Sequence, residues 1–413
     1  MEIELVVIGD EVLAGFTVNT NAAFIAQELL KNGYSLSRQT VLQDEASSLL
    51  EGLETVLQRS DVVITTGGLG PTVDDRTREV IAKLYHVNLG FDEHIANHLE
   101  ARFGKDLPTL KNQATVPENT EIFLNSVGTA PGFVMRKENS TLIVLPGVPD
   151  EMKAMLTEQA IPYLVQAFPL EERVYRKILN ICEIPELAVD PFLRELKTKH
   201  PDIAIGIYPS PGLLTIRLGV AAIDEAAAME KLEKPFAALE TRFAANCFES
   251  ETGRIEEAVH HLFVENGWTL SFAESCTGGS AAGRITLLAG ASDYFLGSIV
   301  AYSNVVKTEV LGVSESIIRE NGAVSAETAI AMVQGALTRM GSDFALAVTG
   351  IAGPAGGSAE KPMGTVWCAV CRRGEKPHTW VIHARGNRQM VITRSVNSLL
   401  SHLLIYAKET SLL

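Results

Sequence analysis

The stretch Trp268-Thr-Leu-Ser-Phe-Ala-Glu-Ser-Cys-Thr-Gly-Gly-Ser-Ala-Ala-Gly283 has the pattern of a β-strand, a short polar turn and a helix of small residues. A strand that leads through a tight turn into a helix is the building unit of α/β domains. One helix-periodic run and four strand-like runs accompany it: Ile255–Asn266, then Leu270–Ala273, Gly297–Tyr302, Phe344–Thr349 and Gly364–Cys371. Residues 251–413 are therefore predicted to form an α/β domain.

Residues 1–165 show the same alternation over a longer distance. The apolar runs Ile3–Ile8 and Val62–Thr65 stand on either side of a helix-periodic stretch, Asn21–Lys31, and the run Thr141–Leu145 closes the pattern. Such alternation indicates a parallel sheet with covering helices. We predict a doubly wound α/β domain here.

Residues 166–250 have a different composition. Five prolines interrupt them between Pro185 and Pro211, and an alternating strand, Leu213–Val220, precedes an Ala/Glu-rich helix over residues 224–245. This pattern predicts a small α+β middle module between the two α/β domains.

Composition narrows the classes of partner. The 413 residues carry 35 basic and 50 acidic side chains, a net charge of −15, without any basic run, so we expect no direct contact with nucleic acid. No apolar segment is long enough to cross a bilayer, and the start lacks a secretory signal. Five scattered cysteines, an odd number, favour a reducing compartment. We expect a cytoplasmic protein without a membrane partner.

Ser275 occupies a position that suits a nucleophilic hydroxyl. Ser275 and Thr277 are predicted to lie at a helix N-terminus, where unpaired N–H groups and the helix dipole favour an anion or a developing oxyanion. The segment is not the Gly-x-Ser-x-Gly elbow of α/β-hydrolases, because the required glycine before Ser275 is missing.

A serine nucleophile needs a base, and a lysine whose pKa is lowered by desolvation can serve as one. The segment after the strand Gly297–Tyr302 supplies Lys307, with Tyr302 five residues before it. Parallel neighbouring strands release their loops at one edge of a sheet, so Ser275, Tyr302 and Lys307 can converge. The alternative, on spacing alone, is that Ser275 caps a helix and Lys307 is a solvated surface residue.

Two further loops are rich in glycine. They are Thr349–Gly357, which contains Gly350 and Gly353, and Glu360–Thr365. Glycines at strand ends let backbone amides approach a phosphate closely. Together with the turn at Gly278 and Gly279, these loops suggest a nucleotide-sized ligand.

The cysteines near these motifs are predicted to be packing residues. Cys276 is an alternative nucleophile because thiolates are strong nucleophiles, but no histidine stands nearby to activate it. Cys368 and Cys371 form a C-x-x-C within a predicted strand, where their side chains face opposite sides of the sheet. A shared metal or disulfide is therefore not expected.

A second candidate site follows the strand Asp61–Thr65. The segment Thr66-Gly-Gly-Leu-Gly-Pro-Thr-Val-Asp-Asp75 contains three glycines and two carboxylates: Gly67, Gly68, Gly70, Asp74 and Asp75. Glycines admit a phosphate or a pterin-like ligand close to the backbone, and paired carboxylates suit a divalent metal. The alternative is a tight turn followed by an acid pair at a helix start.

The C-terminal motifs resemble the CinA C-terminal family, whose members include nicotinamide mononucleotide deamidases described as serine/lysine amidohydrolases. The matching segments are Ala273–Gly279, Ala301–Asn304 with Lys307, Gly322–Ser325, Thr349–Pro354 and Lys361–Thr365. By this resemblance Ser275 corresponds to the nucleophile and Lys307 to the general base. Tyr302 corresponds to a residue that assists proton movement or positioning.

The resemblance also implies a reaction. Ser275 attacks the carboxamide carbon, backbone amides near Thr277 and Gly278 hold the oxyanion, and ammonia leaves, without a cofactor. The family's Gly-Asp-Arg segment appears here as Gly386-Asn387-Arg388, so the acid is lost while the arginine that is expected to hold the substrate phosphate remains. The further substrate-binding residues are Gly279, Gly350 and Gly353.

The N-terminal motifs resemble the molybdopterin-binding (MoaB-like) fold as it occurs in the CinA family. The matching segments are Ile8–Gly15, Asn19 with Asn21, Thr66–Asp75, Asn112–Ala114, Gly128–Phe133, Leu145–Pro149 and Glu151-Met152. In that family the domain has been associated with a metal-dependent ADP-ribose pyrophosphatase. The resemblance implies a divalent metal cofactor with Asp10, Asp74 and Asp75 as its candidate ligands, and Gly67, Gly68 and Gly70 as the cradle of the ligand.

Three hypotheses follow for the whole chain. The first is a bifunctional enzyme of pyridine-nucleotide salvage that acts on nicotinamide mononucleotide and ADP-ribose. The second is a binding or regulatory protein linked to DNA uptake and recombination, as the competence/damage-inducible name of the family suggests. The third keeps the N-terminal fold as an inactive scaffold that only dimerises. A homodimer is expected from the resemblance.

Overall fold

The structure is a computed structural model that describes residues 1–72, 75–137 and 140–411. The chain divides into two units: residues 1–175 with 221–225, and residues 176–220 with 226 onward. Within the described ranges, no helix has both the length and the apolar character needed to cross a membrane.

The first unit is built on a six-stranded sheet. The strands of this unit are β1 (Ile3–Ile8), β2 (Leu36–Leu42), β3 (Val62–Thr66), β4 (Leu89–Phe91), β5 (Thr115–Pro117), β6 (Glu121–Phe123), β7 (Gly132–Lys137) and β8 (Ser140–Leu145). The order in the sheet is β2-β1-β3-β8-β7-β6, and β4 pairs with β5 separately. The first four strands are parallel, whereas β7 and β6 are added antiparallel at one side.

Helices cover both faces of this sheet. They are α1 (Asp10–Leu13), α2 (Thr20–Lys31), α3 (Ala46–Arg59), α4 (Thr77–Tyr85), α5 (Glu93–Phe103), α6 (Leu110–Gln113), α7 (Pro149–Met155) and α8 (Ile161–Ala167), with a π-helical turn, Leu156–Ala160, between the last two. Alternate residues of β1 face opposite sides: Leu5 packs in one core with Leu29 of α2, and Val6 in another with Leu53 of α3. The predicted doubly wound α/β domain is confirmed.

The second unit begins with an antiparallel module. Its elements are β9 (Arg173–Cys182), α9 (Glu186–Lys199), β10 (Ala204–Ser210), β11 (Leu213–Ala222), α10 (Glu225–Phe243) and β12 (Cys247–Phe248). The strand order is β10-β11-β9-β12, which is the arrangement of a split β-α-β motif. The predicted strand and helix of this region are both present, as β11 and α10.

The remainder of the second unit is a five-stranded sheet with helices on both faces. Its elements are α11 (Ile255–Asn266), β13 (Leu270–Glu274), α12 (Ser280–Thr286), β14 (Phe295–Val300), α13 (Asn304–Glu309), α14 (Glu315–Asn321), α15 (Ala326–Met340), β15 (Phe344–Gly350), β16 (Thr365–Arg372), β17 (His378–His383) and α16 (Arg388–Ser411). The order is β14-β13-β15-β16-β17. The strands β14, β13 and β15 are parallel, so their carboxyl ends open at one edge.

Alternation along the strands divides the buried side chains between two cores. Phe272 and Leu346 face α11 and α16, whereas Ala273 and Ala347 face α15. The first of these cores also contains Cys182, Leu213 and Phe248 from the antiparallel module. The module and the five-stranded sheet therefore share one hydrophobic core.

Candidate active site

Three loops meet where β14, β13 and β15 end. Ser275 follows β13 directly, and its backbone N–H donates to the carbonyl oxygen of Val348 in β15 at 2.9 Å. Lys307 lies on α13, which begins after β14 and is capped by the Ser303 hydroxyl. The topology thus brings Ser275 and Lys307 to the same edge of the sheet.

The two side chains are in direct contact. Lys307 Nζ lies 3.0 Å from Ser275 Oγ and donates to the carbonyl oxygen of Ala301 at 2.8 Å. Ser275 is 7% exposed and Lys307 only 1%. Burial disfavours the ammonium form and lowers the pKa of Lys307 from its usual value. A lysine of this kind can accept the proton of the serine hydroxyl.

The turn after Ser275 is organised by the carboxylate of Glu274, which is fully buried. Its five hydrogen bonds come from the hydroxyls of Thr277 and Ser298 and from the backbone N–H groups of Gly279, Ala281 and Ala282. The helix α12 begins only at Ser280, so Ser275 and Thr277 lie in the turn before it. The N-terminus of α12 binds Glu274 rather than a substrate anion.

The backbone amides around Ser275 differ in their availability. Gly278 N–H donates to the carbonyl oxygen of Ser275 at 3.0 Å, and Gly279 N–H donates to Glu274. In the part of the chain that the structure describes, the N–H groups of Cys276 and Thr277 have no acceptor. The free donors next to the nucleophile are therefore those of Cys276 and Thr277, whereas the amide of Gly278 is already engaged.

Tyr302 and Arg388 form a bridge beside this pair. Arg388 Nη2 donates to Tyr302 Oη at 2.9 Å, and Nη1 donates to the carbonyl oxygen of Gly353 at 2.9 Å. Tyr302 is 59% exposed. Its hydroxyl is thus held by Arg388, and it forms no hydrogen bond with Ser275 or Lys307 within the described ranges.

Gly350 at the end of β15 and Gly353 in the loop after it allow close packing. A Cβ on Gly350 would lie 2.6 Å from the Val366 side chain, and one on Gly353 would lie 2.3 Å from the sulfur of Met363. Lys361, in the same loop, donates from Nζ to the carbonyl oxygen of Asn321 at 2.8 Å. The loop thereby carries a cation to the edge that holds Ser275.

Cys276, Cys368 and Cys371 lie in the cores. Burial raises the pKa of the Cys276 thiol to about 12, so the thiolate form is scarce at neutral pH. Cys368 belongs to the core that faces α16, and Cys371 to the core that faces α15. The prediction that the two side chains face opposite sides of the sheet is confirmed.

In the first unit, Gly67 and Gly68 adopt positive φ angles of 117° and 67°. A Cβ on Gly67 would lie 2.2 Å from the carbonyl oxygen of Ile8, and one on Gly68 would lie 2.1 Å from the Thr77 hydroxyl. Thr77 in turn donates to the Gly67 carbonyl at 3.1 Å. The ends of β1 and β3 therefore approach so closely that only glycine fits between them.

The acidic residues of this unit that the structure describes do not form a cluster. Asp10 is exposed at the start of α1, and Asp74 lies outside the described residues. The carboxylate of Asp75 accepts hydrogen bonds from the backbone N–H and hydroxyl of Thr72, which turns it toward its own loop. Among the described residues, no three His, Cys, Asp or Glu side chains are placed to hold a metal ion.

Two family profiles match the chain, one on either side of the middle module. Residues 4–166 match the probable molybdopterin binding domain, and residues 252–406 match the CinA C-terminal domain. A CinA-like protein of Geotalea uraniireducens is 40% identical over 375 residues, which cover 90% of this chain and 89% of that protein. The chain belongs to the CinA family. The resemblance drawn from the motifs is thereby confirmed.

A second relative and one solved structure are also similar to the chain. A putative competence-damage inducible protein of Caldicellulosiruptor bescii is 37% identical over 377 residues, covering 90% of this chain and 91% of that protein. The crystal structure of the competence/damage inducible protein CihA from Agrobacterium tumefaciens is 39% identical, with a TM-score of 0.36, and covers 39% of this chain and 98% of that one.

Two residues of this CinA chain have structural roles that motif reasoning missed. Glu274 was part of a recognised motif without an assigned role, although an acid just before a serine, a threonine and two glycines is a signal for a capped turn. Arg78 is buried and donates to the carbonyl oxygen of Gly70 at 3.1 Å and to Asn112 Oδ1 at 2.7 Å. A lone arginine in a helix pattern gave no signal for this contact.

Proposed function

We propose that the C-terminal domain deamidates nicotinamide mononucleotide, with Ser275 as nucleophile and Lys307 as base. The observation that carries this proposal is the 3.0 Å contact between Lys307 Nζ and Ser275 Oγ, two side chains that are both buried. A neutral lysine beside a serine hydroxyl suits hydrolysis of an amide through an acyl-enzyme.

The first half of the reaction follows from this geometry. Lys307 Nζ takes the proton of Ser275 as Oγ attacks the carboxamide carbon. The N–H groups of Cys276 and Thr277 donate to the oxyanion that forms. The C–N bond then breaks, and the Lys307 ammonium gives its proton to the departing nitrogen, which leaves as ammonia.

The second half repeats the sequence with water. Lys307, neutral again, takes a proton from water as its oxygen attacks the ester carbon. The ester bond to Oγ breaks, the proton returns to Ser275, and nicotinate mononucleotide leaves. No step of this reaction calls for a cofactor.

Arg388 is the proposed ligand of the substrate phosphate. Its two hydrogen bonds, to Tyr302 and to Gly353, leave further N–H groups for an anion. Asn387, which replaces the family's acid, accepts a hydrogen bond from the Met390 backbone N–H at 2.9 Å and so caps α16. The replacement therefore keeps the helix start that carries Arg388.

The test is ammonia release from nicotinamide mononucleotide by the wild-type protein and by Ser275→Ala, side by side and in the presence of EDTA. Release by the wild type alone supports the amidohydrolase and its nucleophile. Equal release by both proteins would refute the role of Ser275. No release by either would refute the proposed activity and favour the regulatory hypothesis.

For the N-terminal domain we propose, on the family resemblance, a site for a phosphate-bearing ligand such as ADP-ribose. One observation supports a polar ligand there: Asn21 Oδ1 is buried without a donor among the described residues, while its Nδ2 donates to Gly147 and Thr66. The described carboxylates do not assemble a metal site, so we assign no catalytic step to a metal. Hydrolysis of ADP-ribose with magnesium, and its loss with EDTA, would test the implied pyrophosphatase.

A further inference from the structure

The ring of Tyr302 is an exposed aromatic surface at the edge of the sheet where Ser275 and Lys307 meet. Tyr302 directly follows Ala301, whose carbonyl oxygen binds Lys307 Nζ, and it is 59% exposed. In the described part of the chain, no other aromatic ring or cation packs against this ring. A large apolar surface therefore lies next to the reacting groups without a partner from the protein.

The position of the ring is fixed by its hydroxyl group. Arg388 donates to Tyr302 Oη and to the Gly353 carbonyl, both at 2.9 Å, and so ties together the start of α16 and the loops that follow β14 and β15. Because the hydroxyl is held on the far side of the ring from the main chain, the aromatic face is oriented before a ligand arrives.

The charges at this edge are unfavourable for a cationic ring. Arg388 and Lys361 are both cations, and they suit a phosphate. The carboxylate next to the nucleophile, Glu274, is buried and already accepts five hydrogen bonds, so it is not placed to pair with a ligand. An aromatic face attracts a cation through its quadrupole without adding a negative charge that would repel the phosphate.

We propose that the face of Tyr302 binds the cationic pyridinium ring of the substrate, which makes Tyr302 a specificity-determining residue for oxidised nicotinamide nucleotides. This inference rests on the proposed deamidase function and gives Tyr302 a role other than proton transfer. A cation–π contact at a partly exposed site changes affinity by about 2- to 30-fold.

The experiment compares wild type, Tyr302→Phe and Tyr302→Leu, with Val305→Ala as a control on the same rim. The ligands are nicotinamide mononucleotide, measured by KM and kcat, and its reduced form, whose dihydropyridine ring is neutral, measured as a competitive inhibitor. We expect Tyr302→Leu to raise KM by about 2- to 30-fold and to change the inhibition constant of the neutral form less. The control is expected to stay within about threefold of wild type. Tyr302→Phe keeps the aromatic face but loses the bond to Arg388, so we expect its KM to lie between those of wild type and Tyr302→Leu, with the preference for the cationic ring over the neutral ring retained.

Two outcomes would overturn this inference. A large fall in kcat for Tyr302→Phe, with unchanged KM, would assign the hydroxyl to proton transfer. An equal loss of affinity for the cationic and the neutral ring in Tyr302→Leu would show that the ring is only an apolar wall. Failure of the proposed function is distinguishable, because the wild type itself would then release no ammonia. Unchanged melting curves of the variants establish that they are folded.

Discussion

The buried environment of Lys307 disfavours the charged form of its amine, so kcat/KM is expected to depend on pH. Its pKa is lowered by burial from the usual 10.5, so the neutral amine becomes available below that pH. We expect kcat/KM to rise with pH to a plateau, with a midpoint below 10.5. Lys307→Met is expected to lower kcat by about 10²- to 10⁴-fold, the usual contribution of a general base.

The same residue links stability to pH. A lysine whose pKa is lower in the folded state binds fewer protons there than in the unfolded state, so the free energy of unfolding rises as pH increases from the folded pKa to 10.5. Lys307→Met should flatten this rise in urea titrations, whereas Lys376→Met, at an exposed position, should leave it in place. An unchanged slope for Lys307→Met would contradict the desolvated amine.

For single residues, the sequence predicts which side chains react better than it predicts which groups those side chains contact. Ser275 and Lys307 could be placed together because parallel strands release their loops at one edge. The bond from Arg388 to Tyr302 could not be predicted, since the two residues are far apart in sequence and exposed. The engagement of Gly278 with the Ser275 carbonyl depends on the exact path of the turn, which spacing does not specify.

Among the elements, the predicted bounds hold best where the pattern of apolar residues is clear. Ile3–Ile8 is an apolar run in which all six residues are buried, and Ile255–Asn266 repeats its buried positions at helical spacing, so both have the predicted ends. Ser275 and Thr277 were predicted to lie at a helix N-terminus, whereas α12 begins only at Ser280. The N–H groups of Ala281 and Ala282 in its first turn donate to the side chain of Glu274, a contact that periodicity does not predict.

The turn between β13 and α12 depends on the carboxylate of Glu274, which accepts five hydrogen bonds. Glu274→Gln keeps the shape of the side chain but replaces one acceptor oxygen with an NH₂ group, which cannot accept hydrogen bonds from the surrounding donors. The turn therefore loses charge-assisted hydrogen bonds. We expect kcat to fall by about 10- to 100-fold with little change in KM, because the Cys276 and Thr277 amides lose their orientation toward the oxyanion.

Ser298→Ala provides the matched control for this turn. It removes one of the five donors to Glu274 and leaves the other four, so we expect less than a tenfold effect on kcat. If both variants had the same activity as wild type, the carboxylate would have no part in positioning the nucleophile. Steady-state ammonia release, with circular dichroism to verify folding, measures the difference.

On the scale of the molecule, the middle module is tied to the C-terminal sheet by an ion pair as well as by the shared core. Glu183 follows β9, and its carboxylate accepts from both terminal nitrogens of Arg394 on α16, at 2.6 and 2.7 Å. Both side chains are largely buried, 17% and 26% exposed. Glu183→Ala should therefore lower the free energy of unfolding of the second unit by about 1–3 kcal/mol.

Chemical denaturation can separate this effect from a general loss of stability. Arg394→Met, added to Glu183→Ala, removes the uncompensated guanidinium and should restore part of the lost stability. The unfolding of the first unit, followed through proteolysis of its own segments, should not change. A double variant less stable than Glu183→Ala would mean that Arg394 has another essential contact.

The division of the chain into two units, each with its own strand-edge loops, predicts that the two proposed activities are separable. Ser275→Ala should abolish ammonia release from nicotinamide mononucleotide and leave any hydrolysis of ADP-ribose intact, because the serine belongs to the second unit. By the family resemblance, Asp74→Asn should do the reverse. Both activities are measured on the same preparations with melting curves. Loss of both activities in a folded Asp74→Asn variant would show that the two sites depend on each other.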